Sequence, residues 1–408
     1  WQAMFSFTNA VVLIAWLILA FLPRKPLAMT AVLYLGVGLL CLCYTVMFAL
    51  LLVMLALRVH IGVGMFFIGA AGFVVMNDYA WLPLLNALKN LAYARFSNYD
   101  LAVIPLFMLM GQFATHGGLS RALFKCVNSF VGHFRGGVAM AAVGACAAFG
   151  AICGSSLATA ATMGQVALPE LRRYRYAGSL ATGALAAGGT LGIMIPPSVP
   201  LVIYAVLTQE SIGKLFMAAV VPGIIAMLGY MIVIRIVVAF QPDAGPAGER
   251  VPLPEALRTL AGVVPILLVF LVVIVGIYDG WANPTEAASI GAAACGLLAV
   301  ISGGMRIDGV VKSMTGTAQA TAMIFLVLLG ADMLNAGLAI TQMPAELAGW
   351  VTDSGLPPLS VMFAILLIYI FLGCVMDSLA MILLTIPIFY PIVMGLDFWG
   401  MPVADKSV

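Results

Sequence analysis

Residues Gly188-Gly189-Thr190-Leu191-Gly192-Ile193-Met194-Ile195-Pro196-Pro197-Ser198-Val199-Pro200 interrupt an apolar stretch long enough to reach across a bilayer. Adjacent prolines remove two backbone donors and stop a helix, and the glycines before them favour irregular backbone. In hydrocarbon each freed carbonyl or N–H costs several kcal/mol unless protein, water or an ion meets it. A helix broken at membrane depth therefore points to a binding site.

Composition supplies the bilayer. Of 408 residues, 64% are hydrophobic and 8% charged, against about 25% charged in soluble domains. No soluble core needs so much apolar sequence, so the chain reads as an all-α polytopic membrane protein of about ten passes. Apolar runs cover 4–22, 31–57, 61–76, 101–115, 138–168, 177–207, 216–240, 259–278, 285–303, 316–331, 359–375 and 379–395. The run at 138–168 is too long for one helix and suits two shorter ones meeting at a turn. A net charge of +2 gives no reason to expect nucleic acid. Basic clusters at Arg121/Lys125/Arg135, Arg172/Arg173/Arg175 and Arg306/Lys312 go to the cytoplasmic face. Segments Leu119–Phe134 and Met305–Met314 mix charge with apolar residues at helical spacing. They read as helices lying on membrane lipid, with connecting loops as the alternative.

Cys41, Cys43, Cys126, Cys146, Cys153, Cys295 and Cys374 lack metal-ligand spacing, and the chain has three histidines, which argues against a metalloenzyme. No cleavable signal opens the chain, and a start at Trp1 leads us to expect that the true beginning lies upstream. The polar stretch from Gln241 to Pro252 reads as an exposed linker. It divides the chain into an extra N-terminal piece (1–45), a first half (46–240), a linker (241–258) and a second half (259–408).

A short internal repeat joins the halves. Gly150-Ala151-Ile152-Cys153-Gly154-Ser155-Ser156-Leu157-Ala158-Thr159 matches Gly373-Cys374-Val375-Met376-Asp377-Ser378-Leu379-Ala380-Met381-Ile382 in its glycine, its small or acidic residue with serine, and its apolar flanks. Weak symmetry between interrupted segments is a sequence pointer to a transporter's central site. In a re-entrant hairpin, two short helices end near the midplane, where hydroxyls and freed carbonyls ligate a hard cation such as Na⁺. Half-helix N-termini there suit a carboxylate. Ser155, Ser156, Thr159 and Ser378 are the expected oxygen donors. Asp377 is the expected acid, since a carboxylate in an apolar run must pair or face a cavity. For Ser155 and Ser156 close helix packing is the alternative. Glu286 falls at a helix start behind Pro284, where capping explains it without a substrate role. Asp332 and Asn335 precede Gly337 and suggest an interrupted helix, either as cavity groups or as its end.

These residues resemble a known family. The run Ile104-Pro105-Leu106-Phe107-Met108-Leu109-Met110-Gly111 is similar to the large membrane subunit of tripartite ATP-independent periplasmic (TRAP) transporters. So are Cys153–Ala160, Gly189–Pro197, Glu210–Phe216, Pro284–Ala287 and Met376–Ser378, in order from about residue 60 to residue 400. The resemblance implies an inverted-repeat, elevator-type secondary transporter with two re-entrant hairpins, in the bacterial inner membrane and not an enzyme. It implies no cofactor beyond Na⁺ as coupling ion, held by Ser155, Ser156, Asp377 and Ser378. It also implies a small membrane subunit, a periplasmic substrate-binding protein and carboxylate substrates. Carried over, the first tip is Gly154–Thr159 and the second Gly373–Ser378. The broken helix brings Gly188, Thr190, Pro196, Pro197 and Ser198 to the site.

Three departures stand out. Members continue past Gly400 with a second Pro-Pro break, so the chain is expected to be truncated or to lack its last helices. The glycine-tyrosine after the first hairpin is replaced within Arg172-Arg173-Tyr174-Arg175-Tyr176, a tolerated change. Residues 1–45 match no expected start and are either the tail of a fused small subunit or an unrelated helix pair. A stand-alone carrier needing no binding protein is the competing transport reading. An intramembrane enzyme lacks any Ser/His or Cys/His pairing on the repeated motifs.

Overall fold

A break in a helix positions groups only if its neighbours hold it, so the packing partners of each interrupted segment decide what it does. The structure is a computed structural model. It describes residues 46–396 apart from 48, 52, 55–56, 302, 341–346, 350, 352–355 and 375. The expected helices of 1–45, and Val375 within the second tip, lie outside the described residues.

Among the described residues the protein is all-helical. The principal elements are α1 (Ile61–Met76), α2 (Trp81–Phe96), α3 (Val103–His116), α4 (Leu119–Val131), α5 (Gly137–Cys153) and α6 (Ser156–Arg173). They continue with α7 (Gly178–Met194), α8 (Val199–Thr208), α9 (Ile212–Phe240), α10 (Leu253–Tyr278) and α11 (Pro284–Ile301). The last are α12 (Ile307–Ile340), α13 (Pro358–Gly373) and α14 (Ser378–Gly395). Among the described residues six spans are long and apolar enough to cross a membrane, with α7 and α8 together making one, or seven if the pair bent by 69° at Gly117 and Gly118 is one span. That count excludes the expected runs within 1–45, which lie outside the described residues, and several other apolar runs form legs too short to cross, among them α5 and α13.

The chain forms two compact units. One holds the described residues up to Arg95 and from Ile324 onward, and the other runs from Phe96 to Met323. Residues 241–258, expected as an exposed linker between halves, lie inside the second unit, with Ala244 and Gly245 buried.

In the first unit α1 lies directly on the second half of α12. A side chain at Gly62 would reach within 2.9 Å of the Leu326 carbonyl, and one at Gly337 within 2.9 Å of the Gly69 carbonyl. Seven-residue spacing of glycines on both helices lets backbones touch where lipid offers no hydrophobic drive to association. Leu84 of α2 is buried with Val74 and Met333. The same helix brings Arg95 to Asp332, whose carboxylate accepts from both Nε and Nη2, the latter at 2.6 Å.

That pair corrects the expected interruption at Asp332 and Asn335. The helix runs unbroken to Ile340 because the acid has a cation of its own, and Gly337 is used for close approach rather than termination. Leaving the buried Asp332 carboxylate without its cation would cost about 3–5 kcal/mol. Likewise Met305–Met314, expected as a separate surface helix, supplies only the opening turns of α12. The expected helix over Leu119–Phe134 is present as α4, with Leu119, Leu123, Phe124 and Cys126 buried and Arg121 and Lys125 exposed.

Candidate functional site

The tip of the α5–α6 hairpin is made by one residue with left-handed backbone. Gly154, at φ 63°, ends α5, and its N–H donates to the Gly150 carbonyl at 2.8 Å. Here glycine is required twice, because a Cβ would also come within 2.9 Å of the Pro197 carbonyl. Ser155 returns to extended backbone and caps α6, its Oγ accepting from the Ala158 N–H at 3.4 Å.

The broken helix packs on this tip. α7 ends at Met194, Ile195 is extended, and α8 begins at Val199 behind Ser198. Pro196, Pro197 and Ser198 are all buried. The Ser198 hydroxyl donates to the Ile193 carbonyl at 2.6 Å, meeting one of the acceptors the break sets free. The Val199 N–H points at the Gly154 carbonyl across 3.5 Å.

Glycine lets α7 wedge between the hairpin legs. A Cβ at Gly188 would meet Cys146 of α5 at 3.0 Å, and one at Gly189 would meet Ala160 of α6 at 2.7 Å. Gly192 touches both legs: it sits against Gly150, and a Cβ there would lie 2.6 Å from Thr159 Oγ1 and 2.9 Å from the Ser155 carbonyl.

Thr159 is completely buried, and its hydroxyl makes no hydrogen bond of ordinary length and angle. The Cys153 thiol beside it is a weak partner. A buried hydroxyl without a partner costs about 1–3 kcal/mol. Here it lies with the Ser155 carbonyl against one bare α-carbon. Both oxygens belong to the N-terminal turn of α6, where the C-terminal ends of α5 and α7 meet it, and neutral oxygens of this kind could ligate a hard monovalent cation.

Other expected residues sit elsewhere. Thr190 is exposed, with its hydroxyl donating to the Ala187 carbonyl at 2.7 Å and 3.2 Å from the Tyr230 hydroxyl of α9. Gly188 serves packing more than a turn below the tip. Glu286 is exposed, and its Oε2 accepts from the Asn283 N–H at 2.9 Å, the reciprocal half of a capping box. Asp332 is paired to Arg95, and the buried Oδ1 of Asn335 makes no hydrogen bond.

The second tip belongs to the first unit. Asp377 caps α14, its exposed carboxylate accepting from the Leu379 N–H at 3.3 Å, and Ser378 is the first helical residue, half-buried. Among the described residues no group of three His, Cys, Asp or Glu side chains is placed to hold a metal ion. Any cation site would therefore rest on hydroxyls, carbonyls and single acids.

The roles of two residues escaped the sequence reading, Gly192 being named there only as part of the broken segment. Gly192 was signalled by its four-residue spacing from Gly188, which puts both on one helix face. Arg95 was signalled by the buried acid itself, which demands a cation, although nothing local says which one.

Comparison with known proteins bears on what such a site does. The family described as "Tripartite ATP-independent periplasmic transporter, DctM component" matches residues 48–403. The chain is 38% identical over 315 residues to the C4-dicarboxylate TRAP transporter large permease protein DctM of Pseudomonas aeruginosa, covering 76% of this chain and 73% of that one. It is 29% identical to the sialic acid TRAP transporter large permease protein SiaM of Vibrio cholerae, over 83% of this chain and 78% of the relative. A C4-dicarboxylate permease DctM of Rhodobacter capsulatus is 30% identical over 73% of this chain and 71% of its own length.

Proposed function

The chain belongs to the DctM family, the large permease component of TRAP transporters, and on that premise we propose that it is a Na⁺-driven importer of small organic acids. Substrate arrives on a soluble periplasmic binding protein, and a small membrane subunit works beside the chain in a bacterial inner membrane. The relatives' names specify C4-dicarboxylates and sialic acid, which are carboxylates. That is the substrate class this reading assigns.

The observation that carries the reading is the Thr159 hydroxyl, buried beside the Ser155 carbonyl at the hairpin tip with no hydrogen bond of ordinary geometry and only the weak Cys153 thiol beside it. Na⁺ settling there would satisfy an atom that is otherwise a net cost. The helix termini sort the charges. The C-terminal ends of α5 and α7 offer carbonyl oxygens to the cation, and the N-terminal ends of α6 and α8 present N–H groups that favour a carboxylate. Ion and anion thus support each other's binding at one tip, which is the coupling that symport needs. In the first unit Asp377 supplies a carboxylate at a helix start, with Ser378 next to it. An elevator-type movement of the hairpins completes the reading.

The test is uptake by vesicles holding the chain with its small subunit, under an imposed Na⁺ gradient. Carboxylate should accumulate only with Na⁺ outside and only when the binding protein is added. Equal uptake with choline in place of Na⁺ removes the cation from the mechanism. Uptake without the binding protein replaces the tripartite reading with a stand-alone carrier.

A further inference from the structure

The segment joining α9 to α10 looks by composition like free linker, and it is fastened at every turn. The Gly248 N–H donates to the Gly132 carbonyl at 2.9 Å, and the Gly136 N–H donates to the Gly245 carbonyl at 2.9 Å. On the other side the Ala177 N–H donates to the Ala244 carbonyl at 3.0 Å. Tyr176 links the two sets: its hydroxyl donates to the Pro246 carbonyl at 2.9 Å and accepts from the Val138 N–H at 3.2 Å. Gly245 is the crossing point. A Cβ there would lie 2.7 Å from Val238 Cγ2, 3.2 Å from Gly136 Cα and 3.3 Å from the Tyr176 ring.

Gly132, Gly136 and Val138 mark the entry to α5, and Tyr176 and Ala177 the exit from α6. The segment 244–248 thus bonds to both legs of the first hairpin at its open end. The tip lies at the other end of α5, about 25 Å away along a helix of that length. Between them the legs meet α7 through Gly150, Gly188, Gly189 and Gly192, contacts that offer few side chains to key the register of one helix against another.

We propose that the 244–248 strap, with Tyr176 as its central link, is a clamp that sets the register of the two hairpin legs and so holds the tip at cation-binding geometry. Tyr176 is a positioning residue that touches neither ion nor substrate. Burial pushes its hydroxyl above the usual tyrosine range, so the proton donated to Pro246 is kept at physiological pH. This inference rests on the cation reading of the tip and adds what keeps that tip in shape.

The test uses the purified chain, melted over a series of NaCl concentrations with choline chloride as ionic control. Tyr176→Phe removes its bond to Pro246 of the strap and its bond from Val138 of α5. Ala177→Pro removes the bond to Ala244 alone, and the residue's φ of −56° already suits the ring. Each variant should raise the Na⁺ concentration giving half of the thermal shift by about fivefold, with the full shift still reached at saturation. Amide exchange should quicken at Gly154 and Thr159 as well as at Gly136 and Gly248. Pro246→Ala, which keeps the accepting carbonyl, should behave as the unaltered chain. Faster exchange confined to the strap, with an unchanged Na⁺ curve, overturns the clamp and leaves the cation reading standing. An unaltered chain with no Na⁺-specific shift overturns both. Should Tyr176→Phe fail to fold, Ala177→Pro decides by the same readings.

Discussion

Ser155 caps α6 with a hydroxyl and Asp377 caps α14 with a carboxylate, so the second leg of each hairpin starts in the same way. Their surroundings differ. α5 is buried along almost its whole length and its tip meets the broken helix, whereas α13 buries only Val361 and Ile365, and Asp377 is exposed. The difference follows from the cost of removing charge from water. A buried tip tolerates hydroxyls and carbonyls, while the exposed Asp377 carboxylate is stabilised by the helix N-terminus it caps. One tip thus carries buried neutral oxygens and the other an exposed carboxylate.

That contrast is easiest to break at the glycines. Gly192→Ala should sharply reduce Na⁺-dependent uptake, because its Cβ would fall on Thr159 Oγ1 and the Ser155 carbonyl. Overpacking of about 1–3 kcal/mol means a loss of about five- to one-hundred-fiftyfold. Gly373→Ala, at the end of α13, has open space around it among the described residues. It should leave uptake unchanged and, like other helical Gly→Ala changes, stabilise by up to about 1 kcal/mol. Uptake assays with melting curves on the two variants separate the hairpins.

Asp377→Asn sharpens the charge half of the comparison. Asparagine caps a helix as well as aspartate does, so the melting temperature should hardly move. Na⁺-driven uptake should fall about tenfold or more while the protein remains inserted, and unaltered Na⁺ dependence would remove Asp377 from the mechanism. The smallest effect is expected at the hairpin's open end. Arg175 stands with φ 57° just past α6, its N–H donating to the Arg172 carbonyl and that of Tyr176 to Leu171. This is a Schellman ending that favours glycine. Arg175→Gly should stabilise by about 0.5–1 kcal/mol in thermal unfolding, without changing Na⁺ affinity.

How much of this was legible in the sequence follows from the range of each interaction. The break at Pro196-Pro197 and the turn at Gly154 are punctuation written in the backbone, as is the cap Glu286, so local chemistry locates them. Ser155 and Asp377 read in the sequence as ion ligands, and their capping emerges only from the structure. The direction of Thr190 needed the rotational phase of α7 about its axis, which a glycine-rich helix with little amphipathic pattern does not reveal. The Arg95–Asp332 pair joins residues 237 apart, and an isolated buried acid shows only that a cation must exist. The strap was hidden because most of its bonds are made by backbone groups, which every residue carries whatever its side chain. Composition therefore read it as free linker.

The central claim is that the unpartnered hydroxyl at the first tip waits for Na⁺, and Thr159→Val puts it to the most direct test. Valine keeps the shape and deletes the oxygen. In choline chloride the variant should melt at the same temperature as the unaltered chain or higher, since an unsatisfied buried hydroxyl of about 1–3 kcal/mol is gone. The Na⁺-specific rise in melting temperature should disappear. A variant that melts lower in choline yet keeps the full Na⁺ shift would contradict the account.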